Sequence, residues 1–363
     1  MTFADLDLQE LAELEGPERA FLTAYLSGPD AKARLHHRLK TLRALVADHE
    51  AEREHLEQNV TLLDAMLDGL DLSAPSTALF VCWALDVQAS LPLSVEVPET
   101  VWVGPSPYLR PLAELQDEYE DFAVAVIDNE RAEVFLVRAA VAEKEGRVRG
   151  DVKNRVKKGG WSQQRYARRR EKELERYASD VAETLTELHE REAFSRLILL
   201  GQTEARTALE EALTQPLRDR LVGEGSVDTD DADAVLREAF RLYFEEEQAS
   251  ERRLWDRIRE GYMTGGLAAV GPQRVLAAAQ EGRVEAALVE RDADLTGTKC
   301  RDCSHSVYGT PETCQRCGSK DVFTLDYVNE LVEALARTGA EADFTDPFEA
   351  LTSVGRVAAA LRW

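Results

Sequence analysis

The stretch 147-RVRGDVKNRVKKGGWSQQRYARRREK-172 decides how this chain is read. It holds eleven basic residues against two acidic ones, Asp151 and Glu171, in a protein of formal net charge -24. Like charges crowded into one segment of so acidic a chain point to a polyanionic partner docking there. At its centre Gly159 and Gly160 precede Trp161, Ser162, Gln163 and Gln164. Two residues without a Cβ let the main chain approach a crowded substrate closely. The run that follows adds a hydroxyl and two amides.

A helix starting near Ser162, a good N-cap residue, would place Leu174, Tyr177, Val181, Leu185 and Leu188 on one apolar stripe. Arg165, Arg168, Arg169, Lys172 and Arg176 would then lie opposite as a basic rail. A solvated face with i to i+4 pairs is the alternative for such arginines, and Arg176 is read that way. Arg165, Arg168, Arg169 and Lys172 repel Lys153, Arg155, Lys157 and Lys158 just across the glycines, so all eight are candidate RNA or phosphate contacts.

GGWSQQRYARRR resembles the catalytic loop and following helix of the class I release factors of archaea and eukaryotes, whose pattern is GGQS followed by Arg-aromatic-x-Arg. Gly159, Gly160, Ser162, Arg165, Tyr166 and Arg168 match without gaps. Trp161 stands at the family's glutamine. Displacement of glutamine to Gln163 and Gln164 is closer to the Vms-type ribosome quality-control peptidyl-tRNA hydrolases. The resemblance implies an RNase H-like domain, with 122-FAVAVIDNERAEVFLVRAA-140 as its opening hairpin, two apolar runs joined by Asp128-Asn129-Glu130. Trp161 is either a platform for a terminal base, worth about 1 to 3 kcal/mol, or a hydrophobic anchor ordering the loop.

At 363 residues the chain is long enough for two or three cored domains. No apolar run approaches the roughly 18 residues of a membrane helix, and MTFADLDLQELAELEG is too acidic for a signal peptide. A soluble, cytoplasmic protein is expected. Only nine of the 44 basic residues are lysines. Abundant Asp and Glu with Arg preferred over Lys resembles a halophile's composition, in which acidity serves solubility.

Cys300-x-x-Cys303 and Cys314-x-x-Cys317 form two knuckles whose spacing, with Gly309, Pro311 and Gly318 for turns, suits four thiolates around one tetrahedral zinc. Four cysteines close the coordination sphere, so the expected metal is structural. His305 is read as a loop residue, and Cys82, within LFVCW, as a buried small hydrophobe.

The family likeness returns around the knuckles. GGLAAVGPQRVLAAAQEGRVEAALVERD, from Gly265 to Asp292, is similar to the opening of the release factors' third domain, where a helix feeds a strand. Residues 326-DYVNELVEALARTGAEADF-344 and 354-VGRVAAALRW-363 look like its last helices and strands. Archaeal members insert a four-cysteine ribbon there, and the domain docks partners including a translational GTPase.

In the first third, Leu35, Leu39, Leu42, Val46, Leu56, Val60, Leu63 and Leu67 recur at helical spacing, as one long helix or a tight αα-hairpin. Its candidate turn, VADHEAERE, is acidic and lacks the family's codon-reading Asn-Ile-Lys-Ser signature, and such a tip would be repelled by mRNA. Phe80, Val81, Cys82 and Trp83 read as a core strand. Pro98, Pro105, Pro107 and Pro111 read as a connection to the next domain.

Together these readings predict an α/β (α+β) multidomain chain. Residues 1–117 form a release-factor-like α/β domain with a long helical hairpin but no codon-reading motif. Residues 118–238 form an RNase H-like catalytic domain, and 239–363 an α/β sandwich with a zinc ribbon inserted at 297–322. The function implied is a ribosome-associated peptidyl-tRNA hydrolase that frees nascent chains from stalled ribosomes or large subunits. Gly159, Gly160, Ser162, Gln163 and Gln164 would form the catalytic loop, one glutamine supplying the amide. The expected partners are the ribosome or large subunit, peptidyl-tRNA, and a translational GTPase or recycling factor. Two alternatives stay open: cleavage of the tRNA acceptor end, and a non-catalytic ribosome-binding factor.

Overall fold

A computed structural model of the protein describes residues 8–28, 30–70, 72–138, 141–149 and 161–363, with 141–144, 146–149 and 161–167 as backbone only. The chain forms two compact units, one built from Met1–Glu118 with Glu251–Trp363, the other from Tyr119–Ser250.

The N-terminal segment runs α1 (Leu8–Ala12), β1 (Phe21–Ser27), α2 (Ala31–Leu45), α3 (Glu50–Gly69), β2 (Ser76–Cys82), β3 (Val87–Leu93), β4 (Thr100–Gly104) and α4 (Arg110–Glu118). Its strands make one antiparallel sheet in the order β3-β2-β1-β4. The leucine periodicity resolves as a hairpin, α2 and α3, whose Leu35, Leu39, Leu56 and Leu63 pack on Leu22, Ala24, Leu79 and Val81 of the sheet. Across the hairpin's outer side Lys32 meets Asp68 at 2.6 Å, His36 meets Asp64 at 3.4 Å and Arg43 meets Glu57 at 2.6 Å, all in one antiparallel register. Such exposed pairs contribute only about 0.2 to 1 kcal/mol each. They fix alignment more than stability.

Three expectations for this segment are corrected. The turn VADHEAERE is not uniformly a solvated acidic tip: the bend occupies residues 46–49, and Glu52 is fully buried in α3. Trp83 leaves the strand in a short 3-10 turn and is 45% exposed, because the sheet face ends at Cys82. The proline-rich stretch is no mere connection: it contains the edge strand β4, buried residues 105–109, and Pro111 inside α4. Prolines bracket β4, and they suit edges because they cannot donate to a ladder.

The second unit contains β5 (Phe122–Ile127), β6 (Arg131–Arg138), β7 (Val141–Arg149), α5 (Trp161–Glu192), β8 (Arg196–Gly201), α6 (Thr203–Ala212), α7 (Gln215–Arg218), β9 (Leu221–Gly225) and the first part of α8 (Ala232–Met263). Its sheet has the order β7-β6-β5-β8-β9, with β5-β6-β7 antiparallel and β8 and β9 parallel to β5. This is the expected RNase H-like arrangement, and the β5–β6 hairpin is where the sequence placed it. Both sheet faces are covered, which explains why the central strands are continuously apolar. Ala123, Ala125, Ile127, Leu197 and Leu199 share a core with α5 and α6. Phe122, Val124, Val126, Ile198 and Leu200 pack with Val235, Ala239 and Tyr243 of α8. Gly201 closes β8 at φ +121°, where a Cβ would lie 2.0 Å from the Ile127 carbonyl oxygen. No other residue fits that approach.

The C-terminal segment continues with β10 (Ala268–Val270), α9 (Pro272–Gln280), β11 (Val284–Glu290), β12 (Thr296–Cys300), β13 (Ser306–Tyr308), β14 (Val322–Asp326), α10 (Tyr327–Arg337), β15 (Glu341–Thr345), α11 (Glu349–Ser353) and β16 (Val357–Leu361). One sheet has the order β10-β16-β11-β15, and β13-β12-β14 forms a separate antiparallel ribbon. Helix α10 starts at Asp326, whose side chain caps the Val328 and Asn329 N–H groups. It is buried along most of its length, between this segment and the N-terminal one. Asn329 Oδ1 accepts from the Leu109 and Arg110 N–H groups at 2.7 and 3.0 Å. Ser106 Oγ donates to Glu333 at 2.6 Å, and Tyr108 Oη to Asp326 at 2.8 Å. Among the described residues no helix is long and apolar enough to cross a membrane.

Candidate functional site

Helix α5 carries the basic rail, and its construction follows from its pattern. Leu174, Tyr177, Val181, Leu185 and Leu188 are all buried in the core under the sheet. Arg168, Arg169, Lys172 and Arg176 are exposed on the other side. Arg169 pairs with Glu173 one turn on, at 2.9 Å. Among the described residues Arg168 and Lys172 have no ion-pair partner. Arg170 is different: its guanidinium makes a two-pronged contact with Glu204 of α6. That arginine therefore belongs to the fold of the second unit, holding α5 to α6.

The backbone of α5 begins at Trp161, so Ser162 lies inside its first turn and is not its cap. Gln163 and Gln164 accordingly sit on the first helical turns, along with Arg165 two residues on. Lys153, Arg155, Lys157, Lys158, Gly159 and Gly160 lie outside the described residues. The first turn of α5 contains no acidic side chain.

At the β5–β6 turn Asp128 is committed to structure. Its Oδ1 accepts from the Glu130 and Arg131 N–H groups at 2.7 and 2.9 Å, and its Oδ2 from Thr229 Oγ1 at 2.7 Å. Burial works against its charge, but the Thr229 hydroxyl and the two N–H groups outweigh it and hold the carboxyl below its usual range.

The ribbon gathers the second candidate centre. Cys300, Cys303, Cys314 and Cys317 place their Sγ atoms within 4.8 Å of one another, and all four are free of disulfides. The Cys300–Cys317 and Cys303–Cys314 sulfur pairs are 3.6 Å apart. A tetrahedral metal with bonds of about 2.3 Å sets its sulfurs about 3.8 Å apart, so the group is shaped to hold one ion. The Cys317 and Arg316 N–H groups lower the Cys314 thiol to about 6. Cys317 is pushed up to about 12: the Ser319 N–H favours its thiolate, but the Cys303 sulfur and burial prevail. Four sulfurs this close cannot all ionise without a cation between them.

Sequence reading missed a residue between the first two knuckle cysteines. Arg301 sits in Cys300-x-x-Cys303 with its side chain only 5% exposed, Nε and Nη2 donating to Glu52 of α3 at 3.0 and 2.8 Å. Arg19 reaches the other oxygen of Glu52 at 3.3 Å. A lone arginine in a knuckle gives no clue to a partner 249 residues away. Only its position between two candidate ligands hinted at constraint.

The profile of the bacterial archaeo-eukaryotic release factor family 10 matches residues 107–242. The chain is 29% identical over 208 residues to peptide chain release factor subunit 1 of Methanopyrus kandleri, across 54% of this chain and 50% of that protein. It thus spans about half the length of that curated relative. Among solved structures it is similar to an archaeal translation termination factor, at 15% identity, TM-score 0.29, and 100% and 99% of the two chains. It is also similar to Pelota of Archaeoglobus fulgidus, at 18% identity, TM-score 0.33, and 79% of each chain. Residues 107–242 are thus similar to a release-factor family, and about half of the chain to an archaeal release factor subunit.

Proposed function

We propose that this protein is a ribosome-associated translation factor that hydrolyses peptidyl-tRNA without reading a stop codon, rescuing stalled ribosomes or large subunits. The observation that carries the reading is the release-factor family match over residues 107–242, which spans the glycine pair, Trp161 and the rail of α5. The basic surplus there suits tRNA or ribosomal RNA, and exposed Arg168, Arg169 and Lys172 would contact phosphates with Arg165, Lys153, Arg155, Lys157 and Lys158.

In the proposed reaction, a water oxygen attacks the carbonyl carbon of the ester joining peptide to tRNA. The bond from that carbon to the ribose oxygen breaks, the ribose oxygen takes a proton, and the peptide leaves as a carboxylic acid. Gly159 and Gly160 would let main-chain N–H groups face the developing oxyanion. Gln163 or Gln164, beside Ser162, would orient water, since an amide is a donor and acceptor but a poor base. Zinc at Cys300, Cys303, Cys314 and Cys317 would be structural, its four protein ligands leaving no open position. The wider partners follow the same reading: the ribosome, and a GTPase or recycling factor at the C-terminal segment. We keep the division into 1–117, 118–238 and 239–363 as a functional one, although α8 runs unbroken across residue 238.

The non-catalytic alternative draws on one observation: both glutamines lie on helix and not in the loop. A release assay on stalled complexes with a sense codon in the A site separates the two. For a hydrolase, Gly160→Ala and Gln163→Ala each lower single-turnover release by about 100-fold, the scale of losing one oriented polar group at a reacting centre. For a binding factor, wild type releases nothing above background and Trp161→Ala weakens association.

A further inference from the structure

Helix α3 and the cysteine ribbon meet through charge. Glu52, fully buried, receives Arg301 from the ribbon at 2.8 and 3.0 Å and Arg19 from the N-terminal segment at 3.3 Å. Both guanidinium groups stack on Phe323 of β14, each 4.8 Å from the ring centroid. Arg301 also pairs with Asp321 at 2.8 Å, and Arg19 Nη2 donates to the Thr324 carbonyl oxygen at 3.2 Å. Two cations and two anions balance, and Glu52 and the two guanidinium groups, shielded from water while Asp321 is half exposed, depend on one another. Arg301 adjoins Cys300 and lies two residues before Cys303. Its main chain is part of the knuckle: Ser304 N–H donates to the Cys300 carbonyl oxygen, and Arg301 N–H to that of Asp321.

We propose that the four-cysteine centre works as a metal-locked clasp, in which the ion, by fixing the Cys300–Cys303 knuckle, holds Arg301 on Glu52 and so keeps the αα-hairpin seated against the ribbon. This rests on the metal reading given above. A small ribbon without its ion loses most of the order of its knuckles. Arg301 then has no fixed path to Glu52, which keeps only Arg19, whose own seat is the ribbon's Phe323. The hairpin loosens at α3, far in sequence from any ligand. Linkage makes the effect reciprocal: the free energy the ion lends to the Glu52–Arg301 contact is lent back by that contact to metal affinity. The centre thereby becomes a sensor, since loss of zinc would be read out in the N-terminal segment.

The test uses the full chain, metal content being measured first. With zinc bound, the amides of 50–63 in α3 are expected to exchange slowly. Removing zinc with a chelator should speed their exchange about tenfold or more, within the range of coupling between linked sites. Arg301→Gln, still loaded, should show the same acceleration and no further response to the chelator. Exchange in α3 that ignores the chelator, or that still responds in Arg301→Gln, overturns the clasp. Should chelation unfold the whole unit, the reciprocal measurement decides: Glu52→Gln is expected to bind zinc about tenfold more weakly in equilibrium competition with a chromogenic chelator, and an unchanged affinity rejects the proposal. Purified protein without metal sinks the metal reading and the clasp together. Bound metal without coupling sinks the clasp alone.

Discussion

Glu333 is a carboxyl held where a charge is costly. It is buried on α10, its Oε1 accepting from Ser106 and Asn329, its Oε2 from Arg337 at 3.1 Å. Burial first, then the nearby Glu330 carboxylate, push it up to about 8 against the pull of Ser106, Arg337 and Lys299. A carboxyl raised from 4.5 to about 8 binds its proton more tightly in the folded chain than in the unfolded one. Its contribution is therefore fully present below the unfolded value and is lost as pH rises towards 8. Between those values stability should fall by at most about 1.4 kcal/mol per pH unit on this group's account. Glu333→Gln, neutral throughout, is expected to flatten that slope, read as denaturant midpoints from pH 5 to 8 for both proteins. Equal slopes would place the titration elsewhere. None of this was legible in the sequence, where Glu330 and Glu333 look like ordinary helix-surface acids. Only the partners at Ser106, Asn329 and Lys299 explain their burial.

At the scale of elements, helix α5 was the most readable part of the chain. A period near 3.6 separates Leu174, Tyr177, Val181, Leu185 and Leu188 from the arginines, and the core took those five residues. Leu185→Ala should cost about 2 to 5 kcal/mol of stability in the second unit, as a large-to-small change in a packed core. Neutralising Arg168 and Lys172 should leave thermal unfolding unchanged, since neither has a described partner. It should instead flatten the salt dependence of binding to ribosomal complexes, by about 0.7 to 0.9 in slope for each phosphate no longer neutralised. An unchanged slope would move the RNA surface off the rail. Strand β4 was illegible for the opposite reason: TVWVG is five residues long, set among prolines, and is recruited only because β1 offers it an edge. Trp83 was misread because an apolar run carries no mark of where its sheet ends. The cysteine ribbon was legible from spacing alone, and Cys303→Ser is expected to abolish metal binding, measured as zinc per chain by elemental analysis.

The whole molecule departs from a simple reading along the chain, because one compact unit is assembled from both ends of it. Local patterns report which face of an element is apolar. They do not report which distant segment covers it, and here the covering is polar as well as apolar. Residues 119–250 have cores on both sides of their own sheet. Residues 251–363 instead rely on the N-terminal segment to satisfy Asn329 and Glu333 on α10, and Arg301 on the ribbon. Leaving one buried hydrogen-bonding group unpaired costs about 1 to 3 kcal/mol, and breaking a buried ion pair about 3 to 5 kcal/mol. Two or three such losses match the entire stability of an ordinary domain, about 5 to 15 kcal/mol. Expressed alone, 119–250 is therefore expected to melt cooperatively, whereas 251–363 alone, even with zinc, should lack a cooperative transition and expose α10 to rapid amide exchange. Supplying 1–118 in trans should restore protection at Asn329 and Glu333. A cooperative, well-protected 251–363 on its own would show that the polar seam is incidental to folding, and that the C-terminal segment is complete without its distant partner.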